Sequence, residues 1–108
     1  MVTNELIITT TSTSVDAFGI VRALDNPVRI SMIKILLPSR EGMTVKDMLA
    51  VLKDTNQIRY RETVYRNLEV LKDAGLVEKF YVEDRGICYR IRRKKVQIDL
   101  TKLEEEVA

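Results

Sequence analysis

The hydrophobic pattern of this chain changes its period at one point, and that change limits the fold more than any other feature. Up to Ala74, apolar residues recur every three or four positions, which places them on one face of a helix. From Leu76 to Val82, and again from Ile87 to Ile91, the pattern is that of strands. Gly75 lies at the junction and suits the left-handed residue that ends a helix. The sequence therefore predicts helices followed by a β-hairpin with its turn at 83–86.

Local signals predict where each helix begins and ends. Asn26-Pro27 separates the first two helices, because the residue before a proline disfavours helix and proline suits the first helical position. Thr44 and Asp47 resemble a capping box, and Ser14 can cap the first helix. The predicted helices cover residues 15–24, 27–37, 45–53 and 59–74, and a capping box at 101–104 opens a short terminal helix.

This order of elements predicts a winged helix-turn-helix, a mainly α fold with a small β-hairpin. The element order is α-α-α-α-β-β-α, and the β-prone stretch from Leu6 to Thr11 can add a short N-terminal strand. We expect an N-terminal arm over residues 1–13, the winged helix-turn-helix domain over 14–95, and a C-terminal helix over 96–108 that serves in dimerisation. A length of 108 residues suits one such domain, which we expect to gain stability from a partner subunit.

The composition excludes most catalytic and metal-binding chemistry. The chain has no His and one Cys, so it lacks the residues for His-based triads, zinc hydrolase motifs and His-ligated haem. It also has no Gly-rich phosphate loop, and we expect neither an enzyme nor a cofactor or metal site. One Cys forms no disulfide within the chain, and no apolar run reaches the roughly 20 residues of a membrane helix. These features predict a cytoplasmic protein that does not bind a membrane.

Positive charge is concentrated in the second half of the chain. The net charge is only +2, but residues 59–95 contain eleven Lys or Arg and six acidic residues, a net of +5. The remainder therefore carries a net charge of −3. Such an asymmetry favours one face that binds a polyanion.

The predicted fourth helix separates apolar from charged residues. At about 100° per residue, its packed side carries Tyr60, Val64, Leu68 and Leu71. The opposite side and its flanks carry Arg59, Glu62, Thr63, Tyr65 and Arg66. Arginine can bond guanine through two hydrogen bonds, and the major groove admits a helix, so this segment is predicted to be a recognition helix. The simpler interpretation is a solvated face with ion pairs such as Glu62 with Arg66.

The predicted hairpin is basic as well. Its cations Lys79, Arg85, Arg90 and Arg92 are expected to contact backbone phosphates or an adjacent minor groove. The run 92–95 either contacts phosphates or forms a solvated linker. Cys88 is expected to be a small, half-buried strand residue, with a redox-sensing thiol as the alternative.

Two strings of the sequence carry a family resemblance. Residues 23–30, Ala-Leu-Asp-Asn-Pro-Val-Arg-Ile, and residues 63–77, Thr-Val-Tyr-Arg-Asn-Leu-Glu-Val-Leu-Lys-Asp-Ala-Gly-Leu-Val, precede the hairpin. Together they resemble the ArsR-like winged-helix transcription regulators that are abundant in archaea, over roughly residues 15–92. The resemblance implies a dimeric, sequence-specific DNA-binding repressor or activator. It matches the family's base-reading positions to Arg61, Glu62, Tyr65 and Arg66.

The chain departs from the metal-sensing members of that superfamily. Those members carry a pair of Cys in the helix that matches residues 45–52, where this sequence has none. The string Thr63-Val64-Tyr65-Arg66 also resembles ferric-uptake regulators, whose metal sites need His. Metal sensing is therefore not expected.

Two apolar stripes pack either on their own domain or on a second copy. They consist of Phe18, Val21 and Leu24 in the first helix, and of Leu100, Leu103 and Val107 near the C-terminus. Small helix-turn-helix proteins gain affinity by binding two half-sites about 34 to 36 Å apart, which favours a homodimer with these stripes as its interface. The alternative function is an architectural or protein-interaction module of a transcription or chromatin assembly. No residue signature points to a small-molecule effector.

Overall fold

Four helices precede an antiparallel hairpin in the computed structural model, which describes residues 17–100. The elements are α1 (Ala17–Leu24), α2 (Pro27–Leu36), α3 (Val45–Asp54), α4 (Arg61–Asp73), β1 (Val77–Val82) and β2 (Gly86–Ile91). This confirms the predicted winged helix-turn-helix fold. The predicted N-terminal arm and strand, the Ser14 cap, the capping box at 101–104, Leu103 and Val107 lie outside the described residues.

The local signals that define the elements act as the sequence predicts. The Asn26 side chain accepts hydrogen bonds from the backbone N–H groups of Val28 and Arg29, at 2.9 and 3.0 Å. Thr44 and Asp47 form a reciprocal capping box at the start of α3. Gly75 has a φ of 81°, so it supplies the left-handed residue after α4. These caps satisfy backbone groups that a helix end leaves without partners.

The core lies between the helices and one face of the hairpin. Each helix contributes side chains without solvent exposure, and Tyr89 on β2 joins them. The fully buried residues from the helices are Ile20, Met32, Leu36, Met48, Leu52, Val64, Leu68 and Leu71. Only Met32 and Leu36 of α2 are fully enclosed, although its apolar residues surround the helix. Burial of this apolar surface is the main force that holds α4 in place.

The packed side of α1 differs from the predicted stripe. Its buried residues are Ala17, Ile20 and Ala23, whereas Val21 is 39% exposed and Phe18 is partly buried. The buried side of α1 thus combines Ile20 with two small alanines, and Phe18 and Val21 lie towards solvent. Only Leu24 of the predicted stripe packs against the core. The role of Phe18 and Val21 in a dimer interface stays a prediction.

The start of α4 also differs from the prediction. The helix begins at Arg61, and Tyr60 is its N-cap in an extended conformation with 70% exposure. Tyr60 therefore does not belong to the packed side, and Arg59 precedes the helix. Ile58, in the segment between the predicted third and fourth helices, is 6% exposed and packs in the core. Because Ile58 anchors the turn, the two residues after it extend away from the core before the helix begins.

The hairpin has two distinct faces and is extended by a third segment. The register pairs Glu78 with Arg90 and Lys79 with Tyr89, so neighbouring residues alternate between the faces. Met43, before α3, pairs with Tyr89 through two backbone hydrogen bonds of 2.8 Å. Cys88 is fully buried, not half-buried as predicted. None of the helices within residues 17–100 has the length and apolar character needed to cross a membrane.

Candidate nucleic-acid interface

The first two turns of α4 expose polar side chains on one side of the helix, while the other side packs in the core. Arg61, Glu62, Tyr65 and Arg66 are exposed, while Val64 is buried on the opposite side of the helix. Glu62 and Arg66 form an ion pair of 3.7 Å in which the side chains are 81% and 72% exposed. A pair that exposed contributes little to stability, so the Arg66 guanidinium is free to exchange Glu62 for another acceptor.

A groove of about 730 Å³ lies between α4, the start of α3 and the hairpin. It brings together five residues of the predicted site, which are Arg61, Glu62, Tyr65, Lys79 and Arg85. Thr44, Lys46, Ile87 and Tyr89 also line it. Cations from three separate elements therefore line the groove together with aromatic side chains. This arrangement suits the phosphates and sugars of a nucleic acid.

The other predicted residues lie elsewhere. Arg66 and Thr63 belong to the same helix without lining the groove, Arg59 is exposed in the turn before α4, and Arg92 is exposed just after β2. Arg90 is on the opposite hairpin face, where it pairs with Glu78 and lies 4.2 Å from the centre of the Phe80 ring. The groove therefore does not include Arg90.

The guanidinium of Arg85 is directed back onto its own domain. It donates to the carbonyl oxygens of Gly42 and Glu41 at 2.8 and 3.2 Å, and it lies 3.3 Å from the carboxylate of Asp47. The pKa of Asp47 is lowered, first by hydrogen bonding to the Thr44 backbone and also by Arg85. Arg85 thus ties the hairpin to the start of α3, and a phosphate would have to compete with these acceptors.

Glu69 joins α4 to both hairpin strands, a role that the sequence analysis did not identify. Its carboxylate accepts hydrogen bonds from Lys72 at 2.7 Å, from Lys79 at 2.9 Å and from the Tyr89 hydroxyl at 2.6 Å. The hydrogen bond from Lys72, followed by that from Tyr89, lowers the pKa of Glu69 to about 2. Burial, followed by the bond to Glu69, raises the pKa of Tyr89. The only sequence signal was the spacing of Glu69 and Lys72, because the other partners come from the hairpin.

We expect the stabilising effect of Glu69 to depend on pH. Since its pKa is lowered from 4.5 to about 2, the stabilisation is complete above about pH 4.5 and is lost as the pH falls towards 2. Glu69→Gln should reduce the free energy of unfolding by about 2 kcal/mol at pH 7, the scale of a hydrogen bond to a charged group. Urea unfolding of both proteins between pH 7 and 2 measures this. A difference that stays constant down to pH 2 would contradict it.

Arg29 is a second residue whose role no sequence pattern indicated. It donates to the carbonyl oxygens of Ala23 and Arg22 at the end of α1, at 2.7 and 3.3 Å, and to the Asn67 side chain at 2.9 Å. Asn67 in turn donates to the carbonyl of Thr63. A cation is favourable at the C-terminal end of a helix, which gives a physical reason for this position. Arg29 therefore links α1 and α2 to the exposed half of α4.

Acidic and sulfur-containing side chains do not gather into a metal site in the part of the chain that the structure describes. No group of three His, Cys, Asp or Glu there could hold a metal ion. The chemistry of the groove is instead that of hydrogen-bond donors, cations and aromatic rings.

Comparison with solved structures gives similar folds at low sequence identity. The chain is similar to the Vibrio cholerae ferric uptake regulator, with a TM-score of 0.54, 17% identity, and coverage of 77% of this chain and 76% of that one. It is also similar to a zinc-bound manganese uptake regulator, with a TM-score of 0.55, 19% identity, and coverage of 77% and 75%. At this identity the likeness concerns the fold. No curated protein matches the sequence.

The sequence itself identifies the family. Residues 24–79 match the family model described as "Helix-turn-helix domain". This segment runs from the last residue of α1 into β1, so it contains α2, α3, the turn and all of α4. Since it makes up more than half of the 108 residues, the chain belongs to the helix-turn-helix domain family.

Proposed function

We propose that this protein is a DNA-binding transcription regulator that reads the major groove of double-stranded DNA with α4. The observation that carries the proposal is the exposed polar face of α4, where Arg61, Tyr65 and Arg66 project from a helix whose other side is fixed in the core. A rigid helix with such side chains can present guanidinium and phenol groups to base edges. The proposal is for a binding protein and not for an enzyme.

The cations differ in their availability for phosphates. Arg59, Arg61, Arg66 and Arg92 are exposed, and within the described residues their only carboxylate pairing is the loose contact of Arg66 with Glu62. Lys79 and Arg85 are bonded to protein acceptors, and Arg90 faces away from the groove. We therefore assign phosphate contacts to the first set. In this proposal the hairpin flanks the DNA backbone through Arg92 at its base and needs no cation at its tip.

A homodimer is part of the proposal. Two copies would place two α4 helices in successive major grooves, and each copy would read one half-site. The partly exposed Phe18, Val21 and Leu100 support an interface formed by α1 and the C-terminal segment. In this proposal the DNA-binding domain spans residues 14–95, and residues 96–108 serve in dimerisation, apart from Val96 and Ile98, which pack on the core of their own domain.

The similar structures support a role in regulation, but the residues of this chain do not support a metal response. One describes DNA-binding domains in a ferric uptake regulator, and the other is a manganese uptake regulator with bound zinc. This chain has no His, and its one Cys, Cys88, is buried in the hairpin. These residues do not fit a resident transition-metal site, so the proposal includes no metal.

The test is the selection of bound sequences from a random duplex pool at physiological salt. We expect an enriched inverted repeat whose half-sites are about one helical turn apart. Binding without enrichment would overturn sequence-specific reading and favour the architectural alternative. Absence of any binding would overturn the DNA-binding proposal and favour a protein-interaction module.

A further inference from the structure

The carboxylate of Glu69 lies between two lysines at the edge of the groove. It is 2.9 Å from the Lys79 ammonium and 2.7 Å from that of Lys72. Lys79 lines the groove, and its ammonium lies 5.4 Å from the centre of the Tyr65 ring on α4. The pair of Glu69 and Lys79 is therefore on the side of the molecule that the proposed function assigns to DNA.

We propose that Glu69 is a specificity-determining residue: it holds Lys79 away from DNA phosphates and so limits binding to DNA of unrelated sequence. The inference rests on the proposed function. It assigns to an acidic residue of α4 an effect on DNA binding that requires no contact between that residue and DNA.

The bond to Glu69 limits the electrostatic attraction between Lys79 and DNA. A lysine ammonium is a compact charge on a flexible stem, and it can reach a phosphate whatever the base sequence. Each phosphate that a protein neutralises adds about 0.9 to the slope of log K against log salt concentration and raises affinity at low salt for any duplex. While Lys79 is bonded to Glu69, it adds nothing to this sequence-independent attraction.

Glu69 also fixes the position of the hairpin relative to α4. The same carboxylate accepts a hydrogen bond of 2.6 Å from the Tyr89 hydroxyl, so it fixes β2 relative to α4. A specific complex needs helix and hairpin held in one arrangement, whereas electrostatic binding to random DNA tolerates variation in their relative position. Loss of the carboxylate therefore has two effects. The freed cation raises affinity for any duplex, and the loosened frame lowers the preference for the operator.

A neighbouring ion pair gives a matched control. Glu78 pairs with Arg90 on the opposite face of the hairpin, one residue from Lys79 along β1. Glu78→Gln removes the same charge and frees a cation, but on a face that does not border the groove. The two variants thus have equal net charge and differ in where the freed cation lies.

The experiment measures affinity for the selected operator and for random duplex DNA over a series of salt concentrations. We expect Glu69→Gln to raise the salt slope on random DNA by about 1 and its affinity at 0.1 M salt by about eightfold. The ratio of specific to non-specific affinity should fall by about fivefold, because the freed cation raises affinity for both DNAs whereas loss of the bond to Tyr89 weakens only the operator complex. Glu78→Gln should change the slope by much less. In the double variant Glu69→Gln/Lys79→Gln, the slope should return to that of the wild type.

Three results would overturn the inference. They are an unchanged slope and ratio in Glu69→Gln, an equal rise in slope in Glu78→Gln, and a raised slope that persists in the double variant. Circular dichroism melts first establish that each variant is folded at the assay temperature. If Glu69→Gln is not folded, Lys79→Gln decides, because it keeps the bonds of Glu69 to Lys72 and Tyr89. An unchanged slope supports the inference, and a fall of about 1 overturns it.

Failure of the inference is distinguishable from failure of the proposed function. If the wild-type protein does not bind duplex DNA, the proposed function fails, and the inference fails with it. If the wild type binds an operator but the variants give any of the three contradicting results, only the role of Glu69 is overturned.

Discussion

Arg66→Ala is expected to weaken binding to the selected operator by tenfold to a hundredfold. A guanidinium that forms two hydrogen bonds with guanine supplies roughly 1 to 3 kcal/mol of discrimination, and the exposed Arg66 on the second turn of α4 is placed to make such a contact. The affinity for random duplex DNA should fall less, because there the residue supplies only one positive charge. Titration of both DNAs at one salt concentration measures the two effects.

The control for Arg66 is Lys34→Ala. Lys34 is exposed on α2 and does not line the groove, so this variant removes one positive charge without changing the face of α4. It should reduce both affinities slightly and equally. Equal losses on operator and random DNA for Arg66→Ala would show that Arg66 reads no base, and α4 would then need a different set of base-reading residues.

The second large effect is on stability. Gly42→Ala is expected to reduce the free energy of unfolding by about 3 kcal/mol, for two separate reasons. Gly42 has a φ of 79°, which a residue with a side chain rarely adopts. A Cβ there would also lie 2.7 Å from the Tyr89 carbonyl oxygen and 2.8 Å from Cζ of Phe80. The oxygen belongs to the backbone of β2 and accepts a hydrogen bond from Met43, so it cannot move freely.

Two other glycines separate the steric cost from the conformational one. Gly75 and Gly86 have φ values of 81° and 92°, but nothing lies within 4 Å of a Cβ added to either. Gly75→Ala and Gly86→Ala should therefore cost only about 1 kcal/mol each. Urea unfolding of the three variants gives the comparison. If the free energy of unfolding falls equally in all three variants, the close approach of Gly42 to the hairpin does not contribute to the cost of the substitution.

The contact between Gly42 and the hairpin also helps to position the walls of the groove. Gly42 and Met43 carry the chain past β2 into α3, and the Gly42 carbonyl accepts a hydrogen bond from Arg85 in the hairpin turn. The start of α3 and the hairpin are therefore held together at one point. A variant that disturbs Gly42 should shift the two walls of the groove relative to α4, so it should affect DNA binding as well as stability.

Elements that depend on short-range chemistry were predictable from the sequence. Asn26, the capping box of Thr44 and Asp47, and the left-handed Gly75 act through hydrogen bonds or backbone conformations within four residues. The apolar face of α4 was predictable too, since Val64 and Leu68 follow the helical period regardless of their partners. These signals were sufficient for the order of elements and for the winged helix-turn-helix fold.

Errors arose where packing between elements selects among apolar residues. In α1, periodicity allowed two adjacent stripes, and packing against the rest of the domain selected the one with Ala17, Ile20 and Ala23. At the start of α4, both Ile58 and Tyr60 could have filled the core, and Ile58 does so. The periodicity of apolar residues shows that a helix has a buried face. The volume available between elements decides which residues form that face.

By itself the sequence determined the helices, the hairpin and the amphipathic character of α4, because caps, turns and periodicity act between residues close in the chain. Only the tertiary structure decided which charges are available. Lys79 and Arg85 looked equivalent to Arg61 and Arg66 as basic residues, yet Glu69 and Asp47 hold the first two within the fold. These contacts join residues 10 and 38 positions apart, and their geometry exists only once the hairpin has packed against α3 and α4.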